Sequence, residues 1–63
     1  MRNLMKIKEI ELSTFEYVMM EDHTVYRRYP GGGWEIMMGQ SWEPCYSDEQ
    51  ELEKLYKEYT RSA

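Results

Sequence analysis

The stretch from Thr24 to Met38, T-V-Y-R-R-Y-P-G-G-G-W-E-I-M-M, constrains this chain more than any other. Two short runs rich in β-branched and aromatic residues flank one proline and three glycines. That pattern predicts a strand, a tight turn and a returning strand. Pro30 presets its own φ, and the glycines accept the positive φ that primed hairpin turns require. A two-residue loop at Gly31-Gly32 and a four-residue loop over 30–33 predict the same register. Tyr29 then faces Trp34, Arg27 faces Ile36, and Arg28 faces Glu35.

Upstream, F-E-Y-V-M-M over 15–20 reads as a strand and Glu21-Asp22-His23 as the turn into 24–29. A three-residue loop pairs Met19 with Val25, Tyr17 with Arg27, and Phe15 with Tyr29. It places His23 at the last loop position, where left-handed backbone is common. One sheet face then collects Phe15, Tyr17, Met19, Val25, Tyr29, Trp34, Ile36 and Met38, with Arg27 among them. The other carries Glu16, Val18, Met20, Thr24, Tyr26, Arg28, Glu35 and Met37, with Glu16, Arg28 and Glu35 in a row across three strands. Arg27, on the core side, would snorkel out past the helix or pair with Glu51 or the Tyr56 hydroxyl.

The segment 5–12, M-K-I-K-E-I-E-L, alternates at Ile10-Glu11-Leu12 and is read as a strand. Leu4, Ile7, Ile10 and Glu11 would also suit one side of a short helix. Trp42-Glu43-Pro44-Cys45-Tyr46 fits an extra edge strand, since Pro44 has no N–H to give to a ladder.

Ser47-Asp48-Glu49-Gln50 has the spacing of a capping box, with Ser47 as N-cap and Tyr46 positioned to staple onto the first turns. Leu52, Leu55, Tyr56 and Tyr59 recur at helical spacing and form one apolar stripe. A helix over 48–60 follows, its stripe laid on the aromatic face of the sheet, the one with Phe15, Tyr17, Tyr29 and Trp34. The expected architecture is α+β: one domain over 1–63, a small antiparallel meander of three to four strands (5–12, 15–20, 24–29 and 34–38) with one C-terminal helix packed on one face.

Sixty-three residues bury only about 60% of the surface their unfolded chain exposes, so stability is marginal without a staple. A single cysteine excludes an intramolecular disulfide, and one His plus one Cys cannot build a Cys/His zinc site. A core drawn from two Trp, six Tyr and one Phe, or dimerisation, has to serve instead. A net charge of –4 argues against nucleic acid and anionic membranes as partners. No apolar run reaches the ~20 residues of a membrane span, and residues 1–8 lack the apolar core of a secretory signal. A cytoplasmic location is expected.

No catalytic constellation, cofactor or metal is expected. His23 and Cys45 each stand alone, with no third group to orient a nucleophile–base pair. The three glycines lie between strands rather than before a helix, so they do not form a phosphate loop. Arg27 and Arg28 point to opposite faces and cannot form one patch.

The second sheet face is more apolar than a solvated face needs. Val18, Met20, Tyr26 and Met37 are therefore candidate partner-binding residues, unless the N-terminal segment folds over them. Trp42 is a second candidate anchor. The acidic run that includes Glu43, Asp48 and Glu49 reads either as a surface for a basic partner or as the solvated start of a helix. The expected function is a small non-enzymatic protein-binding module. In type and size it resembles the small acidic proteins by which bacteriophages and mobile elements block host factors, which implies steric occlusion or mimicry. The alternatives are a single-stranded nucleic-acid-binding sheet that stacks bases on Tyr17, Tyr26, Tyr29 or Trp34, and a structural or regulatory homodimer.

Overall fold

A computed structural model describes residues 6–62. Five strands precede one helix: β1 (Ile7–Leu12), β2 (Glu16–Met20), β3 (Val25–Arg28), β4 (Glu35–Met38), β5 (Ser41–Pro44) and α1 (Glu49–Ser62), with a short 3-10 turn at Tyr46–Asp48. The strands form one antiparallel meander in chain order, and α1 covers one face of it. The α+β class is as expected; the sheet has five strands rather than three or four. The fifth is the Trp42–Pro44 segment. Met5, included in the first expected strand, lies outside the described residues.

The first segment is a strand, and its helix-like spacing has a structural cause. Ile7 faces Met20 and Glu9 faces Met19, so the register shifts at Lys8. A bulge inserts one residue on one strand only. It lets Ile7 and Ile10, three apart, both pack on the core beneath α1.

The β2–β3 hairpin has the expected register: Met19 faces Val25, Tyr17 faces Arg27, and Glu16 faces Arg28. His23 takes φ +76° at the end of the loop. Asp22 supports the turn by accepting the Thr24 N–H at 3.0 Å, and that bond lowers its pKa.

The β3–β4 hairpin departs from expectation. Tyr26 faces Ile36 and Arg27 faces Glu35, one residue away from the predicted pairing. The cause is the turn type. The Gly32 N–H donates to the Tyr29 carbonyl at 2.7 Å, and Gly31 has φ +85°. Pro at the second position and a positive-φ glycine at the third define a type II turn, not a primed one. Gly33 is then an extra residue between turn and strand, and a shift of one exchanges the faces of everything downstream.

Trp34 and Ile36 consequently join Val18, Met20 and Tyr26 rather than Tyr17 and Tyr29. That combined face is the one α1 covers. Val18, Met20, Tyr26, Trp34, Cys45 and Leu52 form the buried core, with Ile7, Ile10, Ile36, Leu55 and Tyr56 packed around it.

The helix start also differs. The 3-10 turn leads directly into α1 and is closed by the Asp48 N–H donating to the Cys45 carbonyl at 3.1 Å. Cys45, not Ser47, occupies its N-cap position, with no side-chain cap. Tyr46 is 79% exposed and staples nothing. What fixes this end is contact with the sheet. Glu49 accepts the Trp34 N–H at 3.1 Å, and Asp48 accepts the Tyr26 hydroxyl at 3.4 Å. A Cβ on Gly33 would stand 2.8 Å from Glu49 Oε2, so a side chain there would push the carboxylate aside.

Candidate functional site

The two sheet faces carry two arginines, and each makes a different site. Under the helix, the Arg28 guanidinium donates to Glu16 at 2.8 Å and pairs with Glu53 from α1. Its Cζ lies 4.6 Å from the Trp34 ring centroid and 5.0 Å from that of Tyr56. Glu53 also accepts the Trp34 indole N–H at 3.2 Å. Burial alone would lower the Arg28 pKa, but the Glu16 hydrogen bond and the two carboxylate charges outweigh it and the net shift is upward. Every group here is engaged, and the cluster ties sheet to helix. The expected Glu16–Arg28–Glu35 row is therefore closed by a helix carboxylate instead of Glu35.

On the opposite face no element covers the sheet among the described residues. Phe15, Tyr17 and Met19 lie beside Val25, Arg27 and Tyr29, and across β4 and β5 follow Glu35, Met37 and Trp42. Phe15 and Tyr29 stack at 4.4 Å between centroids. Tyr17 meets both Phe15, at 5.8 Å, and Trp42, at 6.2 Å. The Arg27 guanidinium sits 4.2 Å from the ring centres of both Phe15 and Trp42 and donates to Glu35 at 2.9 Å. Arg27 thus neither snorkels past the helix nor pairs with Glu51 or Tyr56. It is the fixed centre of an aromatic surface.

Tyr29 is 57% and Met37 38% exposed, while Phe15, Tyr17, Met19, Val25 and Trp42 are half-buried by one another. Rings, a methionine and a pre-oriented arginine are the groups protein interfaces concentrate at their anchors. At one margin, Tyr17, Met19 and Val25 line a shallow cleft with Glu9 and Glu11 on its rim.

The eight residues singled out from sequence divide accordingly. Val18, Met20 and Tyr26 are at most 5% exposed in the core, so they cannot present a partner surface; the exchange of faces in β4 brought Trp34 and Ile36 to their side, and α1 covers that side. Asp48 and Glu49 are clamps to Tyr26 and Trp34. Glu43 is exposed and accepts the Ser41 hydroxyl at 3.1 Å. Its cross-strand neighbour Ile36 places it on the helix side of the sheet. Only Met37 and Trp42 belong to the open face. Sequence reasoning missed Phe15, Tyr17, Arg27 and Tyr29 as its companions because it assigned them to the core.

Burial pushes the Cys45 thiol up to about 11, with Asp48 and Glu49 adding to the shift. Burial likewise raises the Tyr26 phenol to about 12, reinforced by Asp48. Both groups stay neutral near pH 7. Among the described residues no cluster of His, Cys, Asp and Glu suits a metal ion, and no helix is long and apolar enough to cross a membrane. No family model matches the sequence, and no curated protein or solved structure is significantly similar to it.

Proposed function

We propose that the chain is a non-enzymatic protein-binding module that docks through the open sheet face and acts by occluding or mimicking a surface of its partner. One observation supports this above the rest: the Phe15–Arg27–Trp42 sandwich, flanked by Tyr17, Tyr29 and Met37, faces outward. Monomeric soluble proteins keep contiguous apolar patches small, and larger ones mark interaction sites. The Arg27 side chain is already ordered by two rings and a carboxylate, which cuts the entropy lost on docking. Among the described residues, Cys45 is buried with a raised pKa and His23 sits in an exposed turn, which favours binding over nucleophilic chemistry.

The same aromatic sheet favours a second reading, base stacking by single-stranded nucleic acid. Charge weighs against it. Glu35 neutralises Arg27, and Glu9 and Glu11 add negative charge to the face that phosphates would have to approach.

Panning a random peptide library against the immobilised full chain tests the proposal. Peptides should enrich and then lose binding to a Trp42→Ala protein that keeps the parent circular dichroism and a cooperative melt. Failure to enrich, or binding indifferent to Trp42, would refute it. Binding of an oligothymidine that weakens steeply with salt would support the nucleic-acid reading instead. Light scattering across concentrations separates both from a homodimer.

A further inference from the structure

Resting on that reading, we infer that the open face takes a cationic partner segment, with a lysine or arginine side chain seated in the cleft between β1 and the β2–β3 hairpin. The cleft is lined by Glu9, Glu11, Tyr17, Met19 and Val25. Glu9 and Glu11 lie two apart on β1, opposite Met19 and Tyr17, so both carboxylates rise from the same face of the sheet. Both are exposed, and neither has an ion-pair partner among the described residues. Among the described residues the one arginine on this face, Arg27, is already held by Glu35, Phe15 and Trp42.

The floor of the cleft is apolar where the rim is anionic. Met19 and Val25 face each other across β2–β3, with Tyr17 alongside. A long cationic side chain has the matching profile: a methylene stem that packs on apolar surface and a charged head that seeks carboxylates. Tyr17 adds a ring face for the cation. Acidic partners are repelled by the same two carboxylates. A neutral segment would leave them unpaired at the rim.

The continuity of the cleft with the aromatic surface sets the form of the occupant. Tyr17 lines the cleft and also contacts Trp42, so a segment anchored on Trp42 and Arg27 reaches the two glutamates across Tyr17. An extended peptide with alternating apolar and basic residues fits both halves.

The test is an amide-shift titration of the full chain with three blocked twelve-residue peptides, built on alternating Leu–Lys, Leu–Ser and Leu–Glu. The Leu–Lys peptide should bind tightest and shift Glu9, Glu11, Tyr17, Met19 and Val25. The Glu9→Gln, Glu11→Gln double variant, folded by circular dichroism, should bind it about tenfold more weakly. The inference is overturned if Leu–Ser binds as well as Leu–Lys, or if the double variant binds unchanged. It is equally overturned if the shifts fall on the acidic helix residues Glu49 and Glu53, the mark of diffuse attraction between opposite charges. Neutral peptides enriched on the open face and lost with Trp42→Ala would retain the protein-binding reading while refuting the cationic occupant.

Discussion

Arg27 and Glu35 stand directly opposite each other across β3 and β4, Nε 2.9 Å from Oε1. That pairing marks the register on which the division of faces depends. A type II turn at Tyr29–Gly32 followed by Gly33 sets it, and the faces of β4 follow.

Deleting Gly32 should leave this register intact, because it removes the extra residue and not the turn. Tyr29-Pro30-Gly31-Gly33 then forms a plain four-residue turn with Gly33 opposite Tyr29, which keeps Arg27 opposite Glu35 and Trp34 under the helix. The expected result is a cooperative melt and unchanged tryptophan emission. A lost melt or red-shifted emission would mean that the extra residue itself holds the register.

Most of the fold is legible in the sequence, and the rest fails at identifiable residues. The β2–β3 hairpin is readable because a three-residue loop with His23 last has few competing geometries. Pro30-Gly31-Gly32-Gly33 is ambiguous because three adjacent glycines accept several turns, and only the type II choice inserts an extra residue. The candidate surface inherits that ambiguity. Trp34 is expected on the core side and Trp42 as an exposed anchor, and both lie there, but Trp34 has Val18, Met20 and Tyr26 as companions instead of Phe15, Tyr17 and Tyr29. Ser47-Asp48-Glu49-Gln50 misleads for another reason: the carboxylates bind Trp34 and Tyr26 across space, which no local spacing encodes.

Arg28→Ala should cost about 3 kcal/mol, because it leaves Glu16 and Glu53 unpaired between sheet and helix and removes the stem packed on Trp34 and Tyr56. A chain of this size has only a few kcal/mol to lose, so the variant should be largely unfolded at room temperature. Arg28→Lys should rescue it only in part, since an ammonium cannot serve both carboxylates as a planar fork does. Urea melts of the three proteins decide this. Equal stability of Arg28→Ala and the parent would remove the cluster as a fold determinant.

Ser47→Ala, by contrast, should change stability by less than about 0.5 kcal/mol, as for a surface position without a cap. Leu52→Ala, in the same helix but 1% exposed, should cost about 2–5 kcal/mol. A Ser47→Ala loss near 1 kcal/mol in thermal melts would indicate that the hydroxyl caps the helix after all.

Alkali should destabilise the fold through two buried groups. The Cys45 pKa is raised from 9.0 to about 11 and that of Tyr26 from 10.0 to about 12. Each is neutral in both states below its unfolded value, so stability is full there. Above that value the unfolded chain loses the proton first and is favoured increasingly until the folded pKa is passed. Stability should fall from about pH 9 to about pH 12. Tyr26→Phe and Cys45→Ser should each flatten part of that decline in melts against pH. At pH 8 the Cys45 thiol should react with a disulfide reagent much more slowly in the native chain than in urea. Rapid native labelling would show that the β5 end opens readily.

The two tryptophans give the sharpest separation of fold from function. Trp34 donates its indole N–H to Glu53, packs edge-on to Tyr56 at 5.8 Å and carries the Arg28 guanidinium. Trp34→Ala should cost about 3–5 kcal/mol and abolish folding. Trp42 covers Arg27 and touches Tyr17, but from the open side, with water rather than a helix beyond it. Its loss removes a cation–π contact and some half-buried area, so Trp42→Ala should cost only about 1 kcal/mol. The peptide binding selected on the parent should disappear nonetheless. Paired melts and binding isotherms for the two variants separate the roles. If Trp42→Ala unfolded the chain as fully as Trp34→Ala, the open face would be a second core, and its aromatic residues would need no partner to explain them.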